Sequence, residues 1–248
     1  MSYENFAYVY DALMEDAPYP QWLQWVKQQR ERHGVKGRRM LDLACGTGEL
    51  SLLLAREGFE VTGVDLSEDM LTVASGKALA EGAHLTFLQQ DMRALCGLHD
   101  FDMVTIFCDS LNYLETETEV KETFRHVHAA LKAGGMFLFD VHSVYKTDVL
   151  FPHHTFADNG DEVSYIWNCF PGERPHAVEH DLSFFVYDEK SGLYERFDEL
   201  HKQRTFPVAD YENWLTESGF DCMPPAADFT EEAPGPKSER IFFTCIKR

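Results

Sequence analysis

The residues of this chain best placed to act together on a ligand begin in one loop. In LDLACGTGEL, residues 41–50, an apolar strand-like start leads into Asp42, glycines follow at 46 and 48, and a helix-like run begins beyond them. Such glycines let a ligand approach the backbone closely, and the helix that follows offers free N–H groups. A phosphate is the first ligand that a turn of this kind suggests. Ser51, however, leaves the dinucleotide pattern G-x-G-x-x-G incomplete, and no lysine follows as in a P-loop. Asp42 and Glu49 put two acids around the turn, which favours a ligand that is less negative or locally positive.

Two further acids stand where the next strands end. Asp65 closes EVTGVD, 17 residues after Gly48, where a carboxylate can accept two hydrogen bonds from ribose hydroxyls. Asp91 follows the third strand in LTFLQQDM, where it can accept from the exocyclic amine of adenine while Met92 packs on the ring. Together the three strand ends describe a site for an adenosine with an uncharged or cationic extension. The plainer alternatives are that Asp65 is only a helix N-terminal acid and that Asp91 only caps the next turn.

These strand ends need a parallel sheet behind them. Apolar runs of strand length occur at Met40–Ala44, Val61–Val64, Leu85–Leu88, Met103–Phe107 and Met136–Phe139. Helix-like segments lie between them at Leu50–Arg56, Asp69–Ala80 and Glu117–Leu131, the last followed by the stop signal KAGG. Tyr3–Met14 and Gln21–Arg32 predict two helices ahead of the first strand. The alternation implies an α/β fold, a mostly parallel sheet with helices on both faces, because parallel strands need crossover connections.

After Asp140 aromatic and polar residues alternate, with turns at PGERP and EKSGL, and predict antiparallel hairpins. A small β lobe over residues 160–206 is therefore expected inside one α/β domain made of residues 1–150 and 207–248. VADYENWLTESGF reads as its last helix, ERIFFTCIK as its last strand, and PPAADFTEEAPGPKSE as a solvated loop.

Composition limits the partners. The 248 residues carry 22 Lys and Arg against 42 Asp and Glu, a net charge of −20, so the surface repels polyanions and no nucleic acid partner is favoured. No apolar run approaches the roughly 20 residues of a membrane helix, and the N-terminus is acidic, which predicts a cytoplasmic protein without a membrane. The six cysteines contain no C-x-x-C pair and read as reduced thiols.

LDLACGTGEL, VTGVDLSEDML, FLQQDMRAL and FDMVTIFCDSLNYL, in this order and spacing, resemble the successive motifs of class I S-adenosylmethionine-dependent methyltransferases over roughly residues 3–140. The resemblance implies a Rossmann-like, seven-stranded sheet and S-adenosyl-L-methionine as cofactor. It departs from the usual first loop at Ala44, where the family has glycine. By position it assigns Ala44, Cys45 and Gly46 to the methionine part, with Asp42 also among the cofactor-binding residues, Asp65 to the ribose, Leu66 and Met70 to the adenine, and Asp91 and Met92 to the adenine edge and face. Cys108 and Asp109 would sit beside the sulfonium, with Ser110 following. Tyr10 resembles a tyrosine that lids the cofactor, although Tyr3, Phe6 and Tyr10 also fit a plain buried stripe. No cation for the cofactor carboxylate is evident.

A sulfonium carries an activated methyl group, so the protein has chiefly to align a nucleophile, exclude water and remove a proton. Asn112, Tyr113 and His142 are the catalytic candidates, and His201 and Arg204 the substrate candidates; no metal is called for. His142 reads equally as a satisfied loop histidine. The aromatic lobe is placed to cover the cleft and enclose a small-molecule acceptor. Its Arg174, Lys190, Arg196, Lys202 and Arg204 point to an anionic one. The rival readings are methyl transfer to RNA or protein, a non-catalytic S-adenosylmethionine-binding protein and, least supported, an NAD-dependent oxidoreductase. A monomer or a homodimer is expected.

Overall fold

The computed structural model describes residues 9–11, 13–14 and 16–248. Five parallel strands, β1 (Arg39–Leu43), β2 (Glu60–Asp65), β3 (Thr86–Gln89), β4 (Phe101–Ile106) and β5 (Leu131–His142), lie in the order β3-β2-β1-β4-β5. The chain leaves β1 towards β2 on one side and returns to β4 on the other, so a crevice opens at the carboxyl ends of β1 and β4. β12 (Arg240–Lys247) adds antiparallel to β5, and β10 (Phe220–Cys222) antiparallel to β12, completing seven strands in line. The two-residue β11 (Ala226–Ala227) also pairs with β12.

Among the described residues, helices α1 (Tyr19–Arg32), α2 (Glu49–Arg56), α3 (Glu68–Glu81), α4 (Glu117–Ala130) and α5 (Val208–Glu217) cover the sheet. Strand periodicity decides the layering, since successive residues of β5 face opposite ways. Phe137 and Phe139 pack with Phe124 of α4 and Tyr211 of α5, whereas Met136 and Leu138 belong to the cluster of Trp22 and Trp25 of α1 and Leu50 and Leu54 of α2. Phe139 stacks on Phe243 of β12 at 4.6 Å between centroids. Truncating so enclosed a ring to alanine costs about 3–5 kcal/mol.

β6 (Thr155–Asn159), β7 (Val163–Pro171), β8 (Ala177–Asp188) and β9 (Leu193–Arg204) form a separate antiparallel sheet following β5. Its inner face carries Trp167, His180, Leu182, Phe184 and Gln203, while Ile166, Phe170 and Tyr187 on the other parity are exposed.

Three local expectations change. KAGG lies inside β5, not after a helix stop, because α4 ends at Ala130 and a register shift against β4 absorbs the glycines. The loop before β12 is anchored rather than simply solvated: Ala226 and Ala227 are buried, and the Phe229 ring meets Trp22 and Phe242 at 5.2 and 4.8 Å. Of the expected helix Tyr3–Met14, Val9–Asp11 and Leu13 are helical, and residues 3–8 lie outside the described residues.

Candidate active site

The loop after β1 is closed on itself by its own hydrogen bonds. Cys45 N–H donates to the Val64 carbonyl at 3.0 Å, Gly48 N–H to the Cys45 carbonyl at 2.9 Å, and Gly46 N–H to Asp65 Oδ2 at 2.8 Å. These three donors are engaged within the protein and are not available to a phosphate. The acids thought to repel one have other duties. Asp42 lies within β1, fully buried, and accepts from Ser51 Oγ at 2.6 Å and Thr105 Oγ1 at 2.9 Å, while Glu49 pairs with Lys77. Burial raises the Asp42 carboxyl to about 6 against those two hydrogen bonds.

Gly46 and Gly48 hold φ of +53° and +76°, and Ala44 holds +54°, a left-handed backbone that strains any residue with a Cβ. The family's glycine at position 44 has its physical reason there. A Cβ on Gly46 would meet nothing nearer than Tyr10 Cε1 at 3.9 Å, so the loop surface is open beneath the Tyr10 ring. Asp65 Oδ1 also accepts from Ser67 N–H at 2.9 Å, tying the glycine loop to the start of α3, where Ser67 caps Met70 N–H. Burial raises the Asp65 carboxyl despite these bonds. An open glycine backbone beside a carboxylate at the end of β2 fits an adenosine-bearing cofactor with a cationic centre. At the end of β3, Asp91 caps the Met92–Ala94 turn through Arg93 N–H at 2.8 Å and grips the Arg93 guanidinium, which holds its carboxyl below the usual range. The capping role is thus present, carried by Oδ1, while Oδ2 accepts from the guanidinium alone.

Between the ends of β4 and β5 and the inner face of the lobe lies a cavity of about 580 Å³. Tyr10, Trp22, Cys108 and Asp109 line its floor, and Phe151, Phe156, Tyr165, Trp167 and Leu182 its lobe side. Asp65, Leu66, Met70, Asp91 and Met92 lie outside this lining, along the ends of β2 and β3. The thiols there are inert: burial pushes Cys45 and Cys108 up, so neither is a nucleophile at neutral pH.

Asp109 is the hub of the cavity wall. Its Oδ1 accepts from Arg240 at 2.9 Å, and its Oδ2 accepts from Gln203 Nε2 at 2.9 Å and faces His142 Nε2 at 3.3 Å. Burial opposes its ionisation, but His142 and Arg240 outweigh burial and hold it far below the usual carboxylate range. Arg240 also pairs with the fully buried Asp140 and lies over the Trp22 ring at 5.1 Å. Cys108 and Asp109 both take left-handed φ, 55° and 51°, a strain that turns the chain so that this carboxylate enters the wall.

A second chain of bonds runs from the lobe into Asp109. Trp167 Nε1 donates to His180 Nδ1 at 3.0 Å, which leaves the proton of a neutral His180 on Nε2 to donate to Gln203 Oε1 at 3.1 Å. Burial lowers His180 to about 4, so this arrangement persists at neutral pH. For His142 the ionised Asp109 requires a proton on Nε2. Burial lowers its imidazole against the pull of Asp109, and the buried Nδ1 has no hydrogen-bond partner among the described residues.

The other expected site residues separate. Tyr113 and His201 line the cavity, with Tyr113 Oη 3.0 Å from His201 Nδ1. Asn112 does not: it is fully buried, accepting from His142 N–H at 2.8 Å and donating to the Arg204 carbonyl at 2.9 Å, a clamp between β5 and β9. Arg204 lies outside the cavity lining, its guanidinium spent on the Glu115 and Pro175 carbonyls and stacked on Phe206. Arg174, Arg196 and Lys202 are likewise taken, by the Glu115 carbonyl, Asp198 and Glu179, and none of these lobe cations, Lys190 included, lines the cavity; the argument for an anionic acceptor falls with them. Gln203, His180 and Arg240 escaped sequence reading, although Gln203 and His180 share the inward parity of the lobe. Asp140, an acid inside the apolar run MFLFDVH, was the available signal for a buried ion pair.

A family model described as a methyltransferase domain matches residues 40–135. A relative in Geobacillus sp. (strain WCH70) is 52% identical over the whole of both chains, and YqeM of Bacillus subtilis (strain 168) is 50% identical over all of this chain and 98% of its own; both carry methyltransferase names. The crystal structure of an S-adenosylmethionine-dependent methyltransferase from Clostridium acetobutylicum ATCC 824 superposes with a TM-score of 0.88 at 31% identity, covering 99% of this chain and 98% of that one. The chain belongs to the S-adenosylmethionine-dependent methyltransferases. Its cofactor is S-adenosyl-L-methionine. Among the described residues no helix is long and apolar enough to cross a membrane.

Proposed function

We propose that this enzyme methylates a small molecule held in the cavity under the β lobe, with residues 155–204 acting as an inserted cover on the methyltransferase domain. The observation that carries this reading is the cavity itself: about 580 Å³, bounded by core strand ends on one side and lobe aromatics on the other, a size suited to a small ligand and not to a folded macromolecule. The net charge of −20 further weighs against RNA.

S-adenosylmethionine supplies a methyl group already activated on a sulfonium centre. Asp65 would take the ribose hydroxyls, the open backbone at Gly46 the methionine part, and the Tyr10 ring would cover it. His142, on the cavity wall with its Nε2 against Asp109, would receive the proton of the acceptor. Asp109 fixes the ring and offsets the imidazolium that forms, while Arg240 and Gln203 hold Asp109 in place. Proton removal by a positioned base contributes typically 10²–10⁴-fold. The aromatic lobe wall keeps water from the reacting atoms.

The test is methyl transfer from radiolabelled cofactor to a cell metabolite fraction, run beside tRNA and protein fractions. Label is expected in the metabolite fraction; label confined to macromolecules overturns the proposal.

A further inference from the structure

We propose that Cys222 and Cys245 form a redox-reactive dithiol that a peroxide converts to a disulfide, a modification site at the β10 edge of the sheet. Neither residue lines the cavity, so the site is separate from the one that holds the reaction.

Register brings the two residues together. They stand directly opposite one another on the antiparallel strands β10 and β12. Met223 N–H donates to the Thr244 carbonyl at 2.9 Å and Arg248 N–H to the Gly219 carbonyl at 3.1 Å, which makes these two couples hydrogen-bonded pairs. Alternation along the ladder then makes Cys222 and Cys245 a non-hydrogen-bonded pair, the kind whose Cα atoms approach to about 4.5 Å, within the range that a disulfide spans. Their Sγ atoms are 3.0 Å apart. A bond between them requires no slip of either strand.

The two thiols are unequal. Cys245 is fully buried in the core cluster with Phe137, Tyr211 and Phe243, whereas Cys222 is half-buried at the margin of that cluster. Cys245 S–H donates to Cys222 Sγ and holds the Cys222 thiol below its ordinary range, while burial pushes Cys245 up. The thiolate is the nucleophile, so Cys222 attacks and Cys245 resolves. Attack of Cys222 on one peroxide oxygen breaks the O–O bond and leaves a sulfenic acid, and the other oxygen departs as water with the Cys222 proton. Cys245 then attacks the sulfenic sulfur. The S–S bond forms, the S–O bond breaks, and hydroxide departs as a second water with the Cys245 proton. Two electrons leave the sulfur pair, and one peroxide is reduced to two waters. The new bond joins the ends of the segment that seats Ala226, Ala227 and Phe229 on the core.

The test is treatment of the folded full-length chain with hydrogen peroxide in a Cys96→Ser background, which removes an exposed thiol, followed by alkylation and mass spectrometry. Loss of two hydrogen atoms is expected, with a peptide linked through Cys222 and Cys245 that dithiothreitol separates. Cys222→Ser should abolish the link, and in Cys245→Ser dimedone should label Cys222. The linked protein should melt at least about 4 °C higher, because closing the segment restricts the unfolded chain. A link between other cysteines, a link that forms only in urea, or no link at all overturns the site. Dimedone on Cys245 in Cys222→Ser, with none on Cys222 in Cys245→Ser, overturns the assignment of roles, and an unchanged melting temperature overturns the unstrained fit of the bond.

Discussion

Replacing Asp65 by alanine tests the join between fold and cofactor site. Its carboxylate holds two backbone donors, Gly46 N–H at 2.8 Å and Ser67 N–H at 2.9 Å, and so fixes the glycine loop against the first turn of α3. Hydrogen bonds to a charged group contribute about 1.5–3 kcal/mol each. Relief of the buried charge offsets part of this, since burial raises the Asp65 carboxyl. A net loss of roughly 2 kcal/mol is expected, and for a chain of this size a melting temperature lower by about 4–8 °C. Cofactor affinity should fall further, because the ribose acceptor is removed together with the loop anchor: the dissociation constant for S-adenosylhomocysteine should rise at least tenfold. Calorimetry and thermal denaturation on the same variant separate the two effects. An unchanged dissociation constant beside a lowered melting temperature refutes the ribose role and leaves the anchor. An unchanged melting temperature refutes the anchor.

Ala44→Gly should raise stability by about 1 kcal/mol, because φ of +54° strains alanine and not glycine; a urea midpoint that stays put or falls would show the strain to be absent. His142→Gln should slow methyl transfer by roughly 10²–10⁴-fold while the dissociation constant for S-adenosylhomocysteine stays within about twofold, measured with labelled cofactor and calorimetry; a rate within threefold of the parent removes His142 as the base. Asp42→Asn should stabilise the protein more at pH 8 than at pH 5. The folded carboxyl is raised from 3.8 to about 6, so its buried charge destabilises the fold fully above pH 6, and the cost fades as protonation takes over towards pH 3.8. The limit is roughly 3 kcal/mol, reduced by any hydrogen bond that the amide makes less well, and equal gains at both pH values would refute the assignment.

What the sequence reveals and what it hides follow from the range of the forces involved. Strand and helix positions are written in local periodicity, so the order of β1 to β5 and the helices between them can be read to within a few residues. The lobe is legible for the same reason, since alternation fixes which residues share a face. Side-chain commitments are different. Asn112 stands just after a strand end, where catalytic residues gather, yet its partners are the backbone at His142 and Arg204, 30 and 92 residues away. Arg204 looks like a free cation in an acidic chain, and only folding brings the Glu115 and Pro175 carbonyls to it. From sequence Asp42 and Glu49 stand as guards against phosphate, whereas in the fold Asp42 accepts from Ser51 and Thr105 and Glu49 pairs with Lys77.

Asp109 joins these two kinds of information. Its place after β4 is a local fact, but the wall that it organises is assembled from four remote strands: His142 from β5, Gln203 from β9 and, through it, His180 from β8, and Arg240 from β12. The lobe therefore does more than cover the cavity. By way of Trp167, His180 and Gln203, it supplies one of the two fixed donors to the carboxylate that orients the proposed base, and Arg240 supplies the other. A displacement of the lobe sheet that breaks the Gln203 bond would leave Asp109 with Arg240 and His142 alone and loosen the imidazole that depends on it. Closure of the cavity and orientation of the base are, in this arrangement, one structural event, which is a physical reason for a methyltransferase to carry its cover as an insertion directly after the strand that bears His142.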